Sequence, residues 1–75
     1  MKELQHVNPQ FVQVGRTEAA KILGLSPTEF DRRRKTDPDC PAGFKERDDQ
    51  FARVRFRLSD IYAYSEIIMN KAIPA

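Results

Sequence analysis

Thr28, Asp31, Arg32 and Lys35 fall at i, i+3, i+4 and i+7, the spacing that brings side chains onto one face of a helix. That face offers a hydroxyl, a guanidinium and an ammonium, groups that suit base edges and phosphates in a major groove. A second set lies in FARVRFRL, where Arg53, Arg55 and Arg57 alternate with Ala52, Val54, Phe56 and Leu58. Period two with an apolar inner face and a basic outer face is the pattern of a half-buried strand with a cationic surface. The chemistry of both sets is binding, with phosphate the natural ligand. Each set also has a plain alternative: a solvated helix end whose cations complement the dipole, and arginines that are simply exposed on a sheet.

The elements that must position the first set are a helix, a tight turn and a second helix over Thr17 to Lys35. Thr17 is expected as the first N-cap, with Ala19, Ala20, Ile22 and Leu23 as a short apolar stripe. Gly24 is expected to end that helix in the left-handed conformation. Ser26, Pro27, Thr28 and Glu29 read as a complete capping box: Ser26 caps, Pro27 takes the first helical position, and Glu29 reaches back to the Ser26 N–H. Leu25 and Phe30 are spaced for a hydrophobic staple. Two helices joined so tightly cross steeply, which is a helix-turn-helix.

Around this unit the chain reads in order. Met1 to Gln10 is a loose arm, and Phe11 to Val14 is a short strand with Val12 and Val14 inward. The segment TDPDCPAG must turn. Phe44-Lys45 and Phe51 to Leu58 are expected to form a β-hairpin whose tip, Glu46 to Gln50, is charged. Ser59 is expected to cap a last helix running to about Asn70, with Leu58 stapled on Ala63. On that helix Ile61, Tyr64 and Ile68 form one stripe and Tyr62 and Met69 a neighbouring one, with Ile67 between them. This is more apolar surface than a small core needs, and contact with a second copy is the expected use.

Seventy-five residues make one small domain, near the lower size limit for stability and too small for a deep catalytic cleft. A single cysteine, Cys40, excludes an internal disulfide and suits a reducing cytoplasm. No apolar run approaches a membrane span. Net charge is only +2, but nine of the thirteen Lys and Arg lie between Ser26 and Arg57, so their distribution matters more than their total. His6 stands alone in the arm and Cys40 has no histidine near it in sequence, so neither a metal, a cofactor nor an enzyme activity is expected.

The stretches TEAAKILGLSPTEF and RVRFRLSDIYAY, in this order of elements, resemble the excisionase-type branch of the MerR-like winged helix-turn-helix proteins. That group includes phage excisionases, AlpA-like activators and Cox-type regulators of temperate phages. The resemblance covers about residues 11 to 68 and implies an α+β fold: a small winged helix-turn-helix of about three helices, a β-hairpin wing and a short N-terminal strand. The chain divides into an arm, 1–10, a DNA-binding domain, 11–70, and a tail, 71–75, that is a candidate for self-association. The resemblance further implies that the second helix enters the major groove of double-stranded DNA through Pro27, Thr28, Asp31, Arg32 and Lys35. The wing would meet the minor groove or phosphates through Lys45, Arg47, Arg53 and Arg55. Members bind repeated sites, bend DNA, steer an integrase towards excision, and repress or activate promoters. The family has apolar residues where this chain has Arg33 and Arg34, so one of these must lay its stem across the core edge. The tip ERDDQ is also unusually acidic, and Asp48 and Asp49 must point away from phosphates.

The expectation is a DNA-binding regulator of the excisionase or Cox type, acting on DNA in the cytoplasm of a bacterial host. Two rivals stand beside it. One is a transcriptional regulator with no part in recombination. The other is a protein-binding winged helix that inhibits a host regulator, with Phe51 and Tyr62 as anchors.

Overall fold

Leu58 donates its backbone N–H to the Val12 carbonyl at 2.8 Å, and this bond explains the layout of the domain. The computed structural model of the chain describes residues 8–75. In chain order the elements are a 3-10 turn (Pro9–Phe11), strand β1 (Gln13–Gly15), helix α1 (Arg16–Leu23), helix α2 (Pro27–Thr36), strand β2 (Arg55–Arg57) and helix α3 (Leu58–Lys71). β1 and β2 pair antiparallel with Val14 opposite Phe56. The fold is small α+β, three helices and a two-stranded sheet, an arrangement compatible with a helix-turn-helix bearing a wing.

Each strand runs straight into a helix, and this corrects two expected caps. α1 begins at Arg16 behind Gly15, with no side-chain cap, so Thr17 lies inside the first turn. α3 begins at Leu58 behind Arg57, again without a side-chain cap, so Ser59 is also inside. The capping rules assume a helix entered from a loop. Here the sheet sets the entry, and the Leu58 N–H already has its acceptor on Val12.

The turn between α1 and α2 behaves as its residues require. Gly24 sits at φ +73°, and the N–H of Leu25 reaches the Ala20 carbonyl at 2.9 Å, a Schellman closure. Ser26 Oγ accepts from the Glu29 N–H at 3.1 Å, and Pro27 takes the first helical position. The return half of the capping box is absent: Glu29 turns to Arg32 and Arg33 one turn on. Two guanidiniums are stronger partners for a carboxylate than one amide.

Phe30, Phe56, Ile61 and Tyr64 are fully buried, with Val14, Ala19, Ala20 and Cys40 completing the core. The Phe30 and Phe56 rings lie 5.1 Å apart, which joins α2 to β2. Tyr64 closes the far end by donating to Asp37 Oδ2 at 2.6 Å, just past α2. Burial, together with the Asp37 carboxylate, pushes the Tyr64 phenol up to about 12. Leu23, Leu25, Val54, Ile67 and Ile68 pack around this centre.

The expected two-stranded hairpin is reduced to one bridge. Phe44 and Arg55 exchange both backbone hydrogen bonds, at 2.9 and 2.8 Å, and the pairing goes no further. β2 finds its ladder on the other side, against β1. One cause lies at Gly43, at φ +85°, where an added Cβ would stand 2.5 Å from Val54 Cγ1 and 2.8 Å from the Phe56 ring. The chain presses so closely on β2 there that it cannot run alongside as a pleated strand. The N-terminal side differs too. Asn8 to Gln10, read as the end of a loose arm, form a turn capped by the Asn8 side chain, and Phe11 is exposed within it. His6 and the rest of the arm lie outside the described residues.

Candidate nucleic-acid interface

α2 presents Thr28, Arg32 and Lys35 to solvent, as the helical spacing requires, with Pro27 half-buried at its start. The acids of this helix are all engaged. Arg32 binds both Glu29 oxygens, and Arg33 Nε donates to Glu29 Oε2 at 3.0 Å. Those hydrogen bonds, from Arg32 first and Arg33 second, hold the Glu29 carboxyl down at about 2. Arg32 is still 62% exposed along its side chain. A pair of this kind adds little stability in water and is exchangeable for a better anion.

Asp31 does not face outward as a free acceptor. Arg16 Nε lies 2.9 and 3.0 Å from its two oxygens, and Arg34 Nη1 lies 3.4 Å from Oδ1. The Arg16 guanidinium holds the Asp31 carboxyl below the usual range. Asp31 thereby ties the start of α1 to the middle of α2. Arg16 was not among the residues singled out from the sequence. A signal for it existed: a cation at the positive end of a helix is unfavourable unless an acid answers it.

Arg34 is the arginine that crosses the core edge. Its guanidinium lies over the rings of Phe56 at 5.0 Å and Phe30 at 5.9 Å, and Nη2 donates to the Ala42 carbonyl at 3.2 Å. It takes the place of the apolar residue expected there by stacking, which its planar head allows.

The expected strand Phe51 to Leu58 shortens to Arg55–Arg57: Phe51 and Ala52 lie in a turn, Ala52 lines a groove beside Arg53 and Arg55, and Leu58 opens α3. Val54, Phe56 and Leu58 pack against the core, Arg53 and Arg57 are exposed, and Arg55 is half-buried. Arg57 donates to the Gln10 carbonyl at 2.7 Å. Among the described residues Arg53 and Arg55 have no carboxylate partner, and Arg55 Nε is enclosed without an acceptor. In the loop before them Asp49 organises the tip. It accepts from the Phe51 N–H at 2.9 Å, its carbonyl accepts from Lys45 Nζ at 3.4 Å, and its carboxylate lies 3.6 Å from Arg47. The acidic tip is thus partly internal, although Asp48 is exposed.

Two open grooves meet on this surface. One, of about 360 Å³, is lined by Gln13, Glu46, Arg47, Ala52, Arg53 and Arg55. The other, of about 480 Å³, has Arg16, Thr17, Glu18 and Arg34 together with the same Arg53 and Arg55. Arg53 and Arg55 line both grooves, and with Arg47 in the loop and Arg16 at the start of α1 they make a track of guanidiniums along which Glu46 and Glu18 also lie.

Away from this track Tyr62, Met69 and Ile73 leave an apolar strip on α3 and the tail, and Phe51 is 80% exposed at the loop tip. Cys40 is buried, and burial pushes its thiol up. No helix is long and apolar enough to cross a membrane among the described residues. Comparison of the chain with models of known protein families, with curated proteins and with solved structures finds no match to any of the three.

Proposed function

We propose that the chain is a small winged helix-turn-helix DNA-binding protein of a phage or prophage, of the excisionase or Cox type. In this reading α2 enters the major groove of double-stranded DNA with Thr28, Arg32 and Lys35. The loop 45–54 and β2 follow a strand's phosphates or the minor groove with Lys45, Arg47, Arg53 and Arg55. The protein performs no chemistry: copies on repeated sites bend DNA, favour excision by an integrase, and regulate a promoter. The observation that supports this most is the pair Arg53 and Arg55, which line both grooves and have no carboxylate partner among the described residues. A single module of this size buries only ~600–1,000 Å² on DNA, so useful affinity comes from repeated sites and contacts between copies. The exposed strip of Tyr62, Met69 and Ile73 is the surface for those contacts.

The test is selection of bound fragments from the source genome at about physiological salt. Short direct repeats beside an attachment site or integrase gene are the expected recovery. Repeats confined to a promoter would leave a transcriptional regulator alone. The exposed Phe51 and Tyr62 favour a second reading, a protein-binding winged helix. Absence of any enrichment, with partner binding insensitive to salt, would replace the first reading by this one.

A further inference from the structure

α2 is held to the rest of the domain by very little apolar surface. Phe30 is the single residue of the helix that is buried. A helix normally fixes its rotation by a broad apolar stripe against the core, and one ring leaves the helix free to turn about its own axis. Polar ties must supply what the stripe does not. At the end of α2, Asp37 accepts from the Tyr64 hydroxyl at 2.6 Å. On the side of α2, Asp31 takes Arg16 Nε at 2.9 and 3.0 Å and Arg16 Nη2 at 2.8 Å, in a two-pronged pair. The same carboxylate meets Arg34 Nη1 at 3.4 Å, and Arg34 is itself fixed by the Phe56 ring and the Ala42 carbonyl. Arg16 follows directly on Gly15, whose strand partner is Arg55, so the tie at Asp31 leads back to the sheet. Exposed ion pairs are weak as a rule, but two-pronged guanidinium–carboxylate pairs within a network are the exception.

We propose that Asp31 is a positioning residue for DNA selectivity: held by Arg16 and Arg34, it fixes the rotation of α2 and so decides which of Thr28, Arg32 and Lys35 reach base edges, without touching a base itself. The proposal rests on the DNA-binding reading and deepens it, since spacing alone places Asp31 on the same face as those three residues. The scale of the effect follows from helix geometry. A turn of ~20° about the axis moves groups ~5–6 Å from it by ~2 Å, which is more than a hydrogen bond to a base edge tolerates. Arg16, which lies on α1, therefore controls selectivity from outside α2.

The experiment compares the full chain with Arg16→Ala, Asp31→Asn and the double variant. Each is titrated at one salt concentration, by fluorescence anisotropy, into a duplex carrying a site selected from the source genome and into an unrelated duplex of equal length. The quantity read is the ratio of the two affinities. A changed surface charge acts on both duplexes alike and cancels in that ratio, and a contact that served folding alone would shift the urea midpoint and leave the ratio unmoved. Each single variant is expected to lower the ratio by about two- to fivefold, and the double variant no further than either one, because both break the same tie. A ratio lowered by Asp31→Asn but not by Arg16→Ala would make Asp31 a direct reader of a base and overturn the positioning role. A ratio equal to the parent's in all three variants overturns it as well, and in both cases DNA binding stands. If the parent itself binds no duplex, or binds the two equally, the selective DNA-binding reading falls and the proposal with it.

Discussion

On α2 four cations occupy consecutive positions, Arg32 to Lys35, and three of them meet a carboxylate one turn away. On the approach to β2 and along it, Arg53 and Arg55 meet none among the described residues. The difference follows from geometry. A helix places i+3 and i+4 side chains together, so Glu29 and Asp31 reach their own helix's arginines. A strand brings together residues two apart on one face, and in β2 those are Arg55 and Arg57, with Arg53 just before it. Its cross-strand partners, Gln13, Gly15 and Phe44, carry no charge. Charge on the helix is therefore largely neutralised and serves to hold shape, whereas Arg53 and Arg55 are left without a carboxylate and only Arg57, with Asp60 at 4.0 Å, has one among the described residues. On the proposed function, sequence-independent attraction would belong to Arg53 and Arg55, and discrimination to the few α2 groups that can exchange an internal partner for a base.

Phe56 lies beneath both regions, under the Phe30 ring and under Arg34. Phe56→Ala should cost ~3–5 kcal/mol, a large part of what so small a domain has. Urea unfolding followed by fluorescence of the tyrosines and by circular dichroism should show one transition at a much lower midpoint. Separate transitions for sheet and helices would break the comparison, because the two regions would then not share a floor.

Arg32→Ala and Arg53→Ala sharpen it. The first should cost roughly 1–3 kcal/mol on a selected site and little on unrelated DNA, if Arg32 leaves Glu29 for a guanine. The second should weaken every duplex alike and reduce the salt slope by about one. Equal loss of selectivity in both variants would mean that helix and strand do not divide the work in this way.

Arg34 marks the boundary between the regions, since its charge is on the helix but its stack is on the strand's Phe56. Arg34→Lys keeps the charge and loses the planar head. It should lower stability by about 1 kcal/mol, measured as a shift of the urea midpoint without change in its slope. No change would show that the stem, rather than the stack, seals the core.

Much of α2 was legible because its signals are local: Ser26, Pro27 and Gly24 act within a few residues of themselves. The buried stripe of α3 and the alternation from Arg53 to Leu58 were legible by period. The partner of β2 was not, because β1 lies some forty positions earlier, and the nearer Phe44 manages a single bridge beside Gly43. The same distance hid the helix starts at Arg16 and Leu58, where sheet pairing overrides side-chain caps. Of the interface, the outward residues could be read from spacing. Their partners could not: Asp31 belongs to Arg16, fifteen residues away, and Arg34 belongs to two rings.

Glu29→Gln tests the claim that α2 holds its own charge in check. The Glu29 carboxyl sits at about 2 in the folded chain, against an ordinary value of 4.5. A depressed carboxyl contributes stability that is fully present above the unfolded value and is lost as pH falls through the folded one. The stability gap between parent and variant should therefore be constant above about 4.5 and close as pH approaches about 2. The gap itself is small, because the pair is exposed. At neutral pH the variant releases Arg32 and Arg33 from their carboxylate, and it should bind unrelated duplexes more tightly with a steeper salt dependence. Tighter binding with reduced preference between sites would make Glu29 the residue that keeps α2 from adhering to any DNA it meets. Unchanged binding would show that the ion pairs on α2 already open freely in water, and the contrast between helix and strand would then be one of geometry alone.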